Sequence, residues 1–470
     1  SVKLVSITAK VTISDAQPLN CLTISPLKRK VSGIDLCHFF CGQHHRKPRS
    51  MPYQLDQTEM LKTLKTSEKE LAEHLAVHKG NIEMFAEQIT EGAFPAFSVV
   101  RQHDDLVHIE DWVQNARNKF QHLIVVGMGG SSLGGMVLSG FSSPAKGTKP
   151  TLHFINNPDP VVIDTLCRDL PLKDTGILAI SKSGGTIETL LVTGLILDAF
   201  RAHDVSARGR AWAVTESSMT PLAQLVQGQG GHLLRHDPKI GGRYSVFSNV
   251  GLLPGVIAGI DGRQLRKGAQ HVLSEFCHNP SKSLATVHAL GANQALREGY
   301  RSEVLMPYGQ QLSLLADWWA QIWAESLGKD SRGTTPIKAV GSTDQHSQLQ
   351  LYADGPNDKL YTFVTFAEKR AQTRILSGTM ASLASKPELN GLSAGRLLQA
   401  QAHATAASLA AGGRPVRMIT LEDRSNYSFG ALLMHMMLTT VVAGIMWRVD
   451  PFDQPAVEDS KRRTTELLKA

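Results

Sequence analysis

The chain has 470 residues, 42% of them hydrophobic and 19% charged, with five cysteines and no low-complexity tract. That length suits two or three domains of about 100–200 residues, and the composition is that of a soluble globular protein. The formal net charge of +7 sits almost wholly in residues 1–50, where eight Lys/Arg face two Asp, leaving +1 for the rest. A body that close to neutral excludes a nucleic-acid-binding surface as its main business.

Residues 1–50 differ from the rest of the chain, holding Cys21, Cys37, Cys41 and the clustered His38, His44 and His45. The patch CHFFCGQHH has zinc-ligand chemistry but no second pair at finger-like spacing, and the basic, acid-poor leader also suits a transit peptide. Our expectation is that residues 1–50 are a non-functional or disordered extension, with Met51 as the natural start. Cys167 and Cys277 are too few for a disulfide framework and suit a reducing compartment, hence a cytoplasmic protein.

Residues 51–120 read as a helical segment, with apolar periodicity over Met60–Leu75 and Ile82–Phe94 before the charged stretch QHDDLVHIEDW. From residue 121 apolar strands alternate with helical lengths. Leu123–Val126, Thr151–Ile155, Gly176–Ile180 and Ala211–Thr215 are strand candidates in a first lobe over 121–280. After Leu284 helices run through Gly328, and Lys338–Val340, Leu360–Thr365 and Val416–Leu421 are strand candidates in a second lobe over 281–455, with a helix around Leu392–Ala411. Residues 456–470 read as a terminal helix. The pattern predicts an α/β protein of two doubly wound, mostly parallel sheets flanked by helices. Phe429–Trp447 is the stretch nearest to a membrane span, but His435, Gly430 and Gly444 interrupt it, so a buried helix and no membrane partner are expected.

Two glycine-rich turns follow strand candidates. The first, GMGGSSLGG at Gly127–Gly135, gives G-x-G-x-x-S, without the last glycine of a dinucleotide fingerprint, so no nicotinamide or flavin cofactor is expected. The second, SKSGGTIET at Ser181–Thr189, puts three hydroxyls and two glycines at a helix N-terminus, where free N–H groups and the helix dipole favour an anion such as phosphate. Four further segments set a titratable residue among glycines, aromatics or amides: GGRYS with Arg243, QIWAESLGK with Gln321 and Glu325, GSTDQHS with His346, and FDQPAVEDSK with Gln454 and Lys461. Each alone has an ordinary explanation, such as Glu325 pairing with Lys329.

Together these segments resemble the glucose-6-phosphate isomerase family, in order and over about residues 55–465, in its shorter bacterial form. The resemblance implies two sugar-isomerase (SIS) lobes, the reversible conversion of glucose 6-phosphate to fructose 6-phosphate in glycolysis and gluconeogenesis, and no metal. It implies that Ser181, Lys182, Ser183 and Thr186 bind the phosphate, that Gly130 and Ser131 line the sugar pocket, and that Gln321 and Gln454 contact the sugar. Glu325 would move the proton between C2 and C1, Arg243 would face the enediolate, and His346 with Lys461 would open the ring. It also implies a homodimer in which His346 reaches the site of the partner subunit.

The chemistry suits these types. One carboxylate can remove and return a proton, and a carboxylate on an apolar helix is desolvated, which favours its protonated form and suits a shuttle. Arginine is a cation that keeps its proton, and histidine can share one with a ring oxygen near neutral pH. Departures from the family are Ala456, where a glycine is usual, Pro238, near a common acid, and Met437, where many relatives have Glu. Activity on mannose 6-phosphate would use the same residues. A phosphosugar sensor would need a DNA-binding module, and an amide-transferring hexosamine synthase an N-terminal nucleophilic Cys; the sequence offers neither.

Overall fold

Parallel strands buried on both faces need uninterrupted apolar runs, and this chain supplies two sets of them. The computed structural model describes residues 50–143, 147–367 and 374–469, so the Cys/His cluster and the other expectations for residues 1–49 lie outside the described residues. Among the described residues the strands are β1 (Tyr53–Asp56), β2 (His122–Val126), β3 (Thr151–Ile155), β4 (Thr175–Ile180), β5 (Ala211–Thr215), β6 (His232–Arg235), β7 (Ser302–Pro307), β8 (Thr335–Lys338), β9 (Lys359–Phe366) and β10 (Val416–Leu421).

They form two five-stranded sheets. The first, ordered β3-β2-β4-β5-β6, is parallel throughout. The second, ordered β1-β10-β9-β7-β8, is parallel except for β1, which runs antiparallel to β10 with Tyr53 opposite Leu421. Among its parallel strands each sheet thus starts with an inner strand (β2 or β7), adds the next on one side (β3 or β8) and the rest on the other. The direction of winding reverses between β2 and β4 and again between β7 and β9, and ligands in such sheets sit beyond the carboxyl ends of the strands at that reversal.

The strands expected from apolar runs are present, and the differences have local causes. The segment expected to be helical contributes β1, a short edge strand of sequence YQLD. The stretch expected to be helical through Gly328 contains β7, a central strand whose Glu303 would be forbidding in a sheet interior without Arg417, its buried ion-pair partner on β10. The strand expected at Lys338–Val340 lies earlier, at Thr335–Lys338, and Pro336 is tolerated there because β8 is an edge. β6, also an edge, was not foreseen.

The helix Asn426–Trp447 is the one described helix long and apolar enough to cross a membrane, and 94% of its most apolar window is buried inside the fold. It is the central core helix. Helices Gly262–His278, Leu284–Arg297 and Leu315–Leu327 pack on it. The first comes close because neither helix carries a side chain at the crossing: a Cβ on Gly268 would lie 1.8 Å from the Tyr427 carbonyl oxygen, and one on Gly430 1.9 Å from that of Leu265.

Candidate active site

The two glycine-rich turns follow β2 and β4, the strands on either side of the first reversal. The turn after β4 is drawn back into the protein by its carbonyls. Thr215 Oγ1 donates to the Lys182 oxygen at 2.8 Å, and the Leu222 amide donates to the Gly184 oxygen at 3.0 Å. Gly184 has φ +61°, and a Cβ there would lie 2.4 Å from Thr220, so only glycine fits without strain. Ser183 and Gly185 are exposed and Ser181 is buried. Thr186 caps the helix Ile187–Ala202, but its hydroxyl pairs with Ser181 Oγ at 2.9 Å rather than with the helix. The first-turn amides are thus left without a side-chain cap beside two hydroxyls, an arrangement that suits an anion.

The turn after β2 opens the helix Gly130–Phe141. A Cβ on Gly130 would lie 2.3 Å from the carbonyl carbon of Gly242 and 2.6 Å from Arg243 N, so the bare backbone lets this turn touch the one carrying Arg243. Arg243 is 5% exposed. Its Nε donates to Ser326 Oγ at 2.8 Å, and its Nη2 donates to the carbonyl oxygens of Pro451 (2.8 Å) and Asp453 (2.9 Å). Nη1 donates to Gln454 Oε1 and, at 3.3 Å, to Glu325 Oε2.

Glu325 comes from the helix Leu315–Leu327, whose other face is buried. Its second oxygen accepts from Gln321 Nε2 at 2.9 Å, one turn earlier. The Glu325 side chain is 31% exposed, so it is held on one side by a cation and open on the other. Gln321 Oε1 is buried with no donor among the described residues, a free acceptor beside the carboxylate. A Glu325–Lys329 pair is not formed. Lys329 instead pairs with Asp453 at 2.8 Å and donates to the Ser326 carbonyl at 3.1 Å.

Gly130, Arg243, Gln321, Glu325 and Gln454 thus form one cluster, and Ser181, Lys182, Ser183 and Thr186 make up the other turn, with Ser131 in the first helical turn after Gly130. His346, on the short helix Thr343–Ser347, and Lys461, on Glu458–Leu467, are exposed and make no described contact with either group. Lys461 pairs with Glu458 on its own helix at 2.7 Å. Sequence reasoning missed Ser326 and Tyr244, which lie inside the quoted motifs. The Tyr244 hydroxyl lies 2.9 Å from Ser326 Oγ and donates to the Pro451 oxygen at 3.1 Å, and burial pushes its pKa up to about 12.

A family model described as phosphoglucose isomerase matches residues 62–470. The chain belongs to the phosphoglucose isomerase family. The match contains both clusters as well as His346 and Lys461. Among its relatives are the glucose-6-phosphate isomerase of Rubrobacter xylanophilus, 37% identical over 355 residues, which cover 72% of this chain and 80% of that one. The glucose-6-phosphate isomerase of Carboxydothermus hydrogenoformans is 31% identical over 390 residues, covering 78% and 82%. A crystal structure of a hypothetical protein from Thermus thermophilus superposes with a TM-score of 0.77 at 28% identity, covering 89% of this chain and 100% of that one. That of a glucose-6-phosphate isomerase from Chlamydia trachomatis shares the fold, with a TM-score of 0.76 at 20% identity over 90% and 89%. The isomerase-family departures fall outside the contacts just described. Met437 is fully buried in the core helix, Ala456 is exposed, and Gln454 still reaches Arg243.

Proposed function

We propose that the chain interconverts glucose 6-phosphate and fructose 6-phosphate as an aldose–ketose isomerase, with Glu325 as the base. The observation that carries this is the carboxylate fixed between Gln321 and Arg243 with one face open. With the open-chain sugar bound, Glu325 takes the proton from C2, and the C–H electron pair forms the C1–C2 double bond of a cis-enediolate. The carbonyl oxygen gains negative charge beside Arg243, and the hydroxyl proton passes between the two oxygens. Glu325 then returns its proton to C1. A fixed guanidinium stabilises that charge without reorganising. The turn Ser181–Thr186 grips the phosphate, far from C1 and C2, and that remote binding orients the reacting carbons.

Ring opening we assign to His346, supplied by the partner subunit of a homodimer, with Lys461. The exposure of both side chains in the single chain, away from Glu325, supports this assignment. Replacing Glu325 by Gln keeps the Gln321 and Arg243 neighbours but removes the base. We expect kcat to fall at least about a hundredfold with an unchanged unfolding midpoint. Mixing Glu325→Gln protomers with His346→Ala protomers should restore activity, because a mixed dimer contains one site with both groups intact. Undiminished turnover by Glu325→Gln would sink the base assignment, and dead mixed dimers would place His346 elsewhere.

A further inference from the structure

Away from both clusters, a cavity of about 230 Å³ lies between the helix Glu68–Thr90, the helix Leu284–Arg297 and the end of the core helix. His74 and His78 face it from the first helix, four residues apart and so on one side. Asn293 and Arg297 face it from the second with the same spacing. Arg448, in left-handed conformation at φ 57°, closes it where the core helix ends. None of the five takes part in the chemistry proposed for the active site.

The surroundings are cationic and unbalanced. Among the described residues neither Arg297 nor Arg448 has a carboxylate within ion-pair distance. The nearby acids are engaged elsewhere: Glu70 accepts from Ser67 N and Oγ, both at 2.8 Å, Glu73 pairs with Lys69, and Glu298 accepts from Gln294 at 3.0 Å. Burial, then the charge of Arg448 and of His74, keeps the His78 imidazole below its ordinary pKa. Asn293 makes no side-chain hydrogen bond among the described residues, so its amide, on the cavity wall, is open to a ligand; His74 Nδ1 is the one atom of the five residues that is fully buried without a partner. A buried polar group without a partner is unfavourable unless a ligand supplies one.

We propose that this pocket binds a small phosphate-bearing anion, either inorganic phosphate or the phosphoryl group of a phosphomonoester. Two guanidinium forks match the charge and the oxygen geometry of a phosphate, and His74, His78 and Asn293 offer further N–H donors to the remaining oxygens. The polar groups come from three elements, which suits a tetrahedral anion better than a flat one.

The test is histidine-ring NMR of the full chain, titrated with inorganic phosphate at constant pH and ionic strength. The His74 and His78 signals would be assigned with His74→Gln and His78→Gln. Both rings should shift saturably. In Arg297→Ala/Arg448→Asn the midpoint should rise at least about tenfold; Asn tolerates the left-handed conformation, so the fold is kept. A parallel titration with fructose 6-phosphate separates the sources: saturation at lower concentration than with phosphate assigns the site to phosphomonoesters, and at higher concentration to free phosphate. Rings that do not shift, or that shift equally in the double variant, overturn the site.

Discussion

Every N–H donor of Arg243 is occupied: one on Ser326, two on Glu325 and Gln454, two on main-chain oxygens of Pro451 and Asp453. A guanidinium donates in a planar fork, so it can hold the Glu325 carboxylate on one edge while the other edge is anchored in the protein. Lysine has the charge but not the reach. In Arg243→Lys the Pro451 and Asp453 oxygens lose their donor, which we expect to lower the unfolding free energy by about 1–3 kcal/mol. The cation would also lose its place beside the forming enediolate, lowering kcat by about 10²- to 10³-fold. Steady-state kinetics and urea unfolding of the variant check both numbers. A kcat within tenfold of the parent would mean that charge alone is enough.

At the scale of elements, the site draws on the two glycine-rich turns, the turn carrying Arg243, the helix Leu315–Leu327 and the segment Asp450–Gln454, and the segment and the turn after β4 are held in different ways. The segment Asp450–Gln454 is held by Arg243 and Lys329 and by Phe452, which stacks on Phe94 with ring centroids 4.8 Å apart. The turn after β4 depends on Gly184. Gly184→Ala needs a left-handed alanine and drives its methyl group into Thr220, whereas a Cβ at Gly185 would meet only Ser183 Oγ, at 3.8 Å. We therefore expect Gly184→Ala to be less stable by about 2–4 kcal/mol, the sum of backbone strain and overpacking, and to raise KM for the phosphosugar. Gly185→Ala should be close to neutral in stability. Equal effects of the two substitutions, in thermal unfolding and in KM, would refute this account of the turn. Such turns were legible because glycines and hydroxyls after an apolar run have few other uses, and β2 to β5, β9 and β10 were legible as apolar runs. The strands β1 and β6 were not, since short polar edges carry no burial pattern, and β7 was hidden because the charge of Glu303 is answered only by Arg417, more than a hundred residues away. Arg243 and Glu325 could be singled out by residue type. The main-chain oxygens that hold Arg243 leave no trace in a sequence.

At the scale of the whole molecule, one buried polar network joins the edge strand β1 to the inner strands of its sheet and to the core helix. The Tyr53 hydroxyl lies 2.9 Å from His435 Nδ1, and His435 Nε2 lies 2.7 Å from His288 Nδ1. Arg417 donates to the His288 carbonyl oxygen at 3.1 Å and to Thr362 Oγ1 at 2.7 Å, and it pairs with Glu303. Burial, with Arg417 adding its charge, pushes His435 down to about 3, and burial drives His288 well below its ordinary value, with Arg417 and His435 adding to the effect. Both rings are therefore neutral in the folded protein, and the relay of hydrogen bonds depends on that. Below pH of about 6.5 the unfolded chain takes up protons that the folded chain refuses, so this contribution to stability is complete above that pH and is lost as pH falls toward 3. Glu275, whose charge helps raise the Tyr53 pKa, acts the other way. Burial raises its carboxyl to about 6, so its contribution is present at low pH and is lost as pH rises through that value. Between pH 6.5 and 5 one buried histidine accounts for about 2 kcal/mol, at roughly 1.4 kcal/mol per pH unit. His435→Gln keeps an amide between Tyr53 and His288 but cannot titrate. Urea unfolding of the parent and the variant at pH 7 and pH 5 should show the variant losing about 2 kcal/mol less than the parent between the two. Parallel losses would mean that other groups set the acid sensitivity of the fold.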